Sequence, residues 1–168
     1  MGLDYGLEKS GICVKRKFRW LLKIPRISAS GINSLPPEKS ARPSIDFKEL
    51  SAEHLNETIY LPGKPEWKAV NLTLYEIKES THPVYGWLQK VYDPCEGTYK
   101  PFMDEQFKMN ATLELYSGCG DIIEQWVYEN AWPQAVNWGE LSMSESNYLT
   151  CQLTLRYDRA RMIEPPMC

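Results

Sequence analysis

At 168 residues the chain has the length of one domain and little room for a separate cofactor module. Charged residues make up 24% and apolar ones 43%, which excludes a disordered, collagen-like or coiled-coil chain and predicts a packed core. The net charge of −3 is unevenly spread: Lys15, Arg16, Lys17, Arg19, Lys23 and Arg26 crowd into residues 15–26 with no acid among them, a pattern that suits a charged partner, a second copy of the chain included.

No apolar run approaches the roughly 20 residues of a bilayer span, and the start lacks the apolar stretch of a secretory signal, so neither membrane insertion nor export by that route is expected. The five cysteines are scattered and form no CxxC pair, which predicts reduced thiols. Residues 1–16 read as an N-terminal arm. From Lys17 to Ile24, Phe18, Trp20, Leu22 and Ile24 alternate with Lys17, Arg19, Leu21 and Lys23, the period of a half-buried strand that Pro25 ends. Prolines and serines over 25–43 predict an irregular connection.

Two strands are expected at 44–50 and 52–60. Asp46, Lys48, Glu49, Glu53, His54 and Glu57 are interspersed there with Ile45, Phe47, Ile59 and Tyr60, so neither face is cleanly apolar. Such a segment is exposed on both sides or buried against another subunit. Leu61 to Pro65 reads as a turn, and Val70, Leu72 and Leu74 give the inward face of a central strand over 67–75. His82-Pro83 opens a helix on which Val84, Trp87, Leu88 and Val91 form one stripe, closing near Tyr92 before a loop over 93–106. Alternation over 107–116, a Ser117-Gly118-Cys119-Gly120-Asp121 turn and a strand over 122–128 make a hairpin, and a last strand runs over 148–158. The sum is a mainly β, antiparallel sandwich or barrel with one packed helix, spanning 17–160, followed by a tail over 161–168.

No residue pattern predicts an enzyme. There is no nucleophile elbow, phosphate-binding loop or dinucleotide fingerprint, and the two histidines, His54 and His82, stand apart from any cysteine, so no metal and no cofactor is expected. Glu114 and Glu124 could oppose each other across the 107–128 hairpin as a glycosidase pair does, but two solvated carboxylates are the commoner outcome. Among the six tryptophans, Trp126, Trp132 and Trp138 are the candidates for exposed contact, which leaves a carbohydrate-binding sandwich as an alternative. The basic strand lacks the interleaved aromatics of a nucleic-acid platform.

The stretches KFRWLLKIPRI, RPSIDFKELSAEHLNETIYLPGKPEWKAVNLTLYE, HPVYGWLQKVYDP, ATLELYSGCGDIIEQWVYENAWPQAVNWGEL and LTCQLTLRYDRA, in this order, resemble the tail tube proteins of contractile-tailed bacteriophages. More distantly they are similar to the type VI secretion tube protein. The resemblance covers most of 17–160, with the Trp132-Pro133-Gln134-Ala135-Val136 element and the closing Arg156-Tyr157-Asp158 as its most telling parts. It implies a structural virion protein of the phage tail, assembled in the host cytoplasm into stacked homo-hexameric rings around one inner β-barrel. Six subunits giving four strands each would enclose roughly 35–50 Å between backbones. Partners implied are the tail sheath, baseplate and tail-terminator proteins, with DNA passing through without specific binding. A baseplate tube-initiator of the same fold is an alternative. The contacts between rings or subunits are expected at Asp46, Lys48, Glu49, Glu53, His54 and Glu57. A neutral to acidic channel wall is expected from Glu53 and Glu57, or from Thr150, Gln152 and Thr154, and not from Lys17, Arg19 and Lys23.

Overall fold

A computed structural model describes residues 15, 17–25, 37–76, 78, 83–99, 107–144 and 146–163. Of the expected arm over 1–16 only Lys15 is among the described residues, and His82 lies outside them. Strands are β1 (Trp20–Lys23), β2 (Pro37–Ser40), β3 (Ile45–His54), β4 (Glu57–Trp67), β5 (Val70–Tyr75), β6 (Tyr92–Asp93), β7 (Thr98–Tyr99), β8 (Met109–Tyr116), β9 (Ile122–Asn137), β10 (Thr150–Arg156) and β11 (Arg159–Ile163), with helix α1 (Pro83–Val91) after β5. Every described pairing is antiparallel.

Two layers share one strand. At 16 residues, β9 is long enough to serve both: its first half lies between β8 and β11, and its second half pairs with β10, which continues to β5 and β2. The bend falls at Asn130, whose φ of 55° suits asparagine better than most residues, and which sits where the register against β8 shifts. Its backbone N–H donates to Asn110 Oδ1 at 3.1 Å and its side-chain amide to Asp158 Oδ2 at 2.9 Å. Asp158 in turn separates β10 from β11, so both long strands cross from one layer to the other at the same corner.

Between the layers lies the core: Leu22, Val70, Leu72, Leu74, Leu113, Tyr128, Leu153 and Leu155 are among its buried members, and the alternation in each strand selects them. Helix α1 closes the core with Val84 and Trp87, the latter 1% exposed and donating its indole N–H to the Phe107 carbonyl at 2.7 Å. No helix among the described residues is long and apolar enough to cross a membrane.

Several expected boundaries move. Phe18 is 70% exposed and the first strand begins only at Trp20; before it, the Arg19 carbonyl still accepts the Tyr116 N–H of β8 at 2.9 Å. The expected connection over 25–43 contains β2, and the expected loop over 93–106 contains the β6–β7 pair, both too short to carry a period. The segments at 44–50 and 52–60, with the supposed turn at 61–65, are a single hairpin of β3 and β4 that turns at Leu55-Asn56. Pro62 and Pro65 are tolerated because no strand among the described residues pairs with the far side of β4 and the register shifts between them. The supposed strand 122–128 runs on to Asn137, since the bend at Asn130 disguises its continuation. The last strands occupy 150–156 and 159–163, so residues 161–163, expected in a tail, belong to the sheet through pairing with β9.

Candidate assembly interface

The β3–β4 hairpin stands off the body. Every described side chain of β3 is exposed, and β4 half-buries only Gly63 and Trp67. Its root is fixed by aromatic packing: Trp67 meets Tyr157 at 6.1 Å between ring centroids, and Tyr157 meets the buried Tyr128 at 5.0 Å. The Lys68 N–H donates to the Ser44 carbonyl at 3.0 Å, closing the base. A glycine is needed at 63, where a Cβ would come within 2.5 Å of the Lys48 carbonyl oxygen.

The register gives this hairpin the apolar face that its sequence hides. Leu50 opposes Leu61 and Ala52 opposes Ile59, so four apolar residues form one row, while Glu49, Ser51 and Glu53 sit on the other face with Pro62, Tyr60 and Thr58. Leu50, Ile59 and Leu61 are 57%, 51% and 51% exposed, an apolar surface left uncovered by the described residues. Of the expected contact residues, Asp46 lies at the root beside Lys68, Lys48 lines a crease of about 360 Å³ under the hairpin, and Glu49, Glu53 and Glu57 are exposed towards the tip. His54 ends β3, opposite Glu57.

The two sets of expected channel residues do not share a surface. Glu53 and Glu57 flank the hairpin turn, whereas Thr150, Gln152 and Thr154 lie on the outer face of the β9–β10–β5–β2 layer. Their cross-strand partners there are Tyr75, Thr73 and Asn71 on one side, with Asn137 and Ala135 opposite Gln152 and Thr154 on the other. Thr154 donates to Asn71 Oδ1 at 3.0 Å. The charges on this face are cationic and few: Lys39 stands opposite Thr73, and Arg156 follows Thr154 along the same side of β10.

The other layer is charged on its outer face. Arg159 and Arg161 both pair with Glu129, and Lys23 pairs with Glu114 at 2.8 Å. Glu114 and Glu124 are not the solvated or opposed pair the sequence suggests. Each is 4% exposed, and the register of β8 on β9 places them on opposite faces of the sheet: Glu114 opposes Gln125, and Glu124 opposes Leu115 on the core side. A glycosidase geometry is thereby excluded for this pair. Burial pushes the Glu114 carboxyl up, but hydrogen bonds from Lys23 and Tyr116 and the Lys23 charge outweigh it and hold it below its ordinary value. Glu124 is likewise lowered: burial opposes ionisation, while Lys15, the Trp126 indole N–H at 2.6 Å, and Arg42 favour it. Lys17 and Arg19 precede β1, and Arg19 stacks over Phe18 at 5.3 Å, so the basic segment does not form one cationic strand face.

The tryptophans offer no flat sugar platform. Trp126 packs against the core and Trp132 is half-buried opposite Arg156; Trp138 alone of the six is exposed, beside Tyr85 at 6.4 Å. Among the described residues no group of three His, Cys, Asp or Glu side chains converges as a metal site would require.

No protein-family profile matches the chain, and no curated protein matches it in sequence. Solved structures do. A chain of the sheath–tube complex of an extracellular contractile injection system in its extended state matches with a TM-score of 0.68 at 14% identity, covering 90% of this chain and 92% of its own. A chain of the anti-feeding prophage baseplate matches with a TM-score of 0.71 at 14% identity, over 92% of this chain and 99% of its own. A mutant form of the Hcp1 protein of E. coli EAEC 042 matches with a TM-score of 0.51 at 12% identity, over 88% and 92%. The chain therefore has the fold that the sequence resemblance implies, that of contractile-tail tube proteins and of the type VI tube protein.

Proposed function

We propose that this protein is a non-enzymatic structural subunit that assembles into six-membered rings, stacked as the tube of a contractile injection machine. The observation that carries the reading is the β3–β4 hairpin, a two-stranded arm with an apolar row that none of the described residues covers, on a tube-protein fold. An arm of this kind is an aggregation hazard on a free monomer and is made safe by a second copy. Sheath, baseplate and terminator proteins are its further partners, in keeping with assemblies whose chains match it.

The mostly neutral face around Thr150, Gln152 and Thr154 is the channel wall in this reading, with Lys39 and Arg156 as its cations. A wall with few cations holds DNA weakly, because each phosphate neutralised by Lys or Arg adds salt-dependent affinity. The chain thus serves as a conduit, for DNA ejection in a phage virion. A tube-initiating role at a baseplate is a second reading, favoured by the fit to the anti-feeding prophage baseplate chain. The domain spans 17–163 in both, since β11 carries the sheet past residue 160.

Electron microscopy of the purified protein tests this. Rings of six and their stacks are expected, and tubes of the initiator alone would stop at one or two rings. A protein that stays monomeric at tens of micromolar and binds polysaccharide would refute both readings.

A further inference from the structure

Three strands bring cations to the crease of about 360 Å³ under the hairpin root: Lys48 from β3, Lys64 from β4 and Arg156 from β10. The register shift after Phe47 sets Lys48 across from Gly63 and Lys64, so the two lysines are neighbours on the hairpin. Among the described residues no carboxylate pairs with Lys48, Lys64 or Arg156, although Arg156 is half-buried. Neighbouring like charges oppose each other, and a half-buried guanidinium without a partner loses hydration uncompensated.

The two acids of the crease are engaged elsewhere. Asp158 accepts from Lys108 at 3.3 Å and from Asn130 at 2.9 Å, and Glu66 lies opposite Asp46, beside the charge of Lys68. Tyr157 also lines the crease; it is 3% exposed, and its buried hydroxyl has no hydrogen-bond partner among the described residues. Three cations and one orphan donor therefore surround a single cavity that supplies them no acceptor.

The geometry points to a binding site for a compact, multiply charged oxyanion of the phosphate or pyrophosphate class, held by Lys48, Lys64, Arg156 and the Tyr157 hydroxyl. Such an anion has oxygens enough for all four donors, two of them for the Arg156 fork, whereas a carboxylate has two in all. A long phosphate backbone would run on past Glu49, Glu53 and Glu57 of the same hairpin, while a compact anion stays among the cations. The site needs only the fold and stands apart from the tube reading. Once bound, the anion joins both hairpin strands to β10 and pins the arm to the body. Within the tube reading it also neutralises Arg156, one of the cations of the channel wall.

Isothermal titration of the full chain with pyrophosphate, at physiological ionic strength held by chloride, should show one saturable site per chain. Lys48→Gln with Lys64→Gln, both exposed and harmless to folding, should weaken it about tenfold or more. Arg156→Lys keeps the charge, loses the fork and should also bind more weakly. Lys90→Gln, outside the crease, should bind as the parent does. Tyr157→Phe removes an unpaired hydroxyl, so its melting temperature should equal or exceed the parent's while its affinity falls; a purely structural tyrosine would lose stability and keep the affinity. Pyrophosphate should also slow hydrogen exchange over 44–48 and 64–68. Absence of saturable binding up to millimolar pyrophosphate would overturn the inference, as would an affinity unchanged in the double lysine variant or in Tyr157→Phe, or slowed exchange confined to other segments. Binding of duplex DNA without any response to pyrophosphate would overturn it as well and give the cations to a nucleic-acid backbone.

Discussion

Glu124 is a carboxylate on the core side of a sheet, and its removal distinguishes what holds it there. Its Oε1 accepts the Trp126 indole N–H at 2.6 Å, and its cations, Lys15 and Arg42, are 52% and 64% exposed at the side chain. Glu124→Ala orphans a half-buried indole donor and thins the packing beside Leu115, a loss of about 2 kcal/mol. Glu124→Gln keeps an acceptor for the indole and removes only the charge. Because water rehydrates both exposed cations, that change should cost no more than about 1 kcal/mol. In a domain of this size 1 kcal/mol corresponds to roughly 2–4 °C in melting temperature. Thermal unfolding of dilute protein at pH 7 should therefore show Glu124→Ala lower by about 4–8 °C and Glu124→Gln by about 4 °C at most, with Lys15→Ala closest to the parent. A Glu124→Gln protein that falls as far as Glu124→Ala would refute this reasoning and make the ion pairs, not the indole bond, the stabilising contact.

Three further outcomes follow from the same packing. Glu114 and Glu124 titrate below their ordinary value when folded, so the unfolded chain binds more protons in acid: stability should be full above the unfolded carboxylate value, near pH 4.5, and fall as pH drops through the folded values. Urea midpoints between pH 6 and pH 3 should decline less in Glu114→Gln/Glu124→Gln than in the parent, and equal slopes would count against the assignment. Trp87→Ala should cost about 3–5 kcal/mol in a urea titration, since it empties the space under α1 and strands the Phe107 carbonyl; a loss under 1 kcal/mol would show that the helix is not part of the core. Burial pushes the Cys151 thiol up to about 11, so peptide mapping after thiol labelling at pH 8 should find Cys95 and Cys119 modified in the native protein and Cys151 only in urea.

Much of the body is written in local pattern. Val70, Leu72 and Leu74, or Cys151, Leu153 and Leu155, alternate with polar neighbours, and a strand with one buried face needs no more than that to be recognised. The α1 stripe of Val84 and Trp87 is equally local, as is the absence of a catalytic motif. What the pattern could not convey is anything that depends on a strand's partner. The apolar row of Leu50, Ala52, Ile59 and Leu61 is divided between two strands running in opposite directions, so it becomes a face only when the register brings them together. For the same reason Glu114 and Glu124, ten residues apart, end on opposite sides of one sheet. The bend at Asn130 and the placing of Lys15 and Arg42 beside one carboxylate likewise belong to packing between distant segments. Alternation in a single strand fixes which of its residues share a face, because the side-chain period is two; which face is covered, and by what, is decided by contacts across tens of residues that no local period encodes.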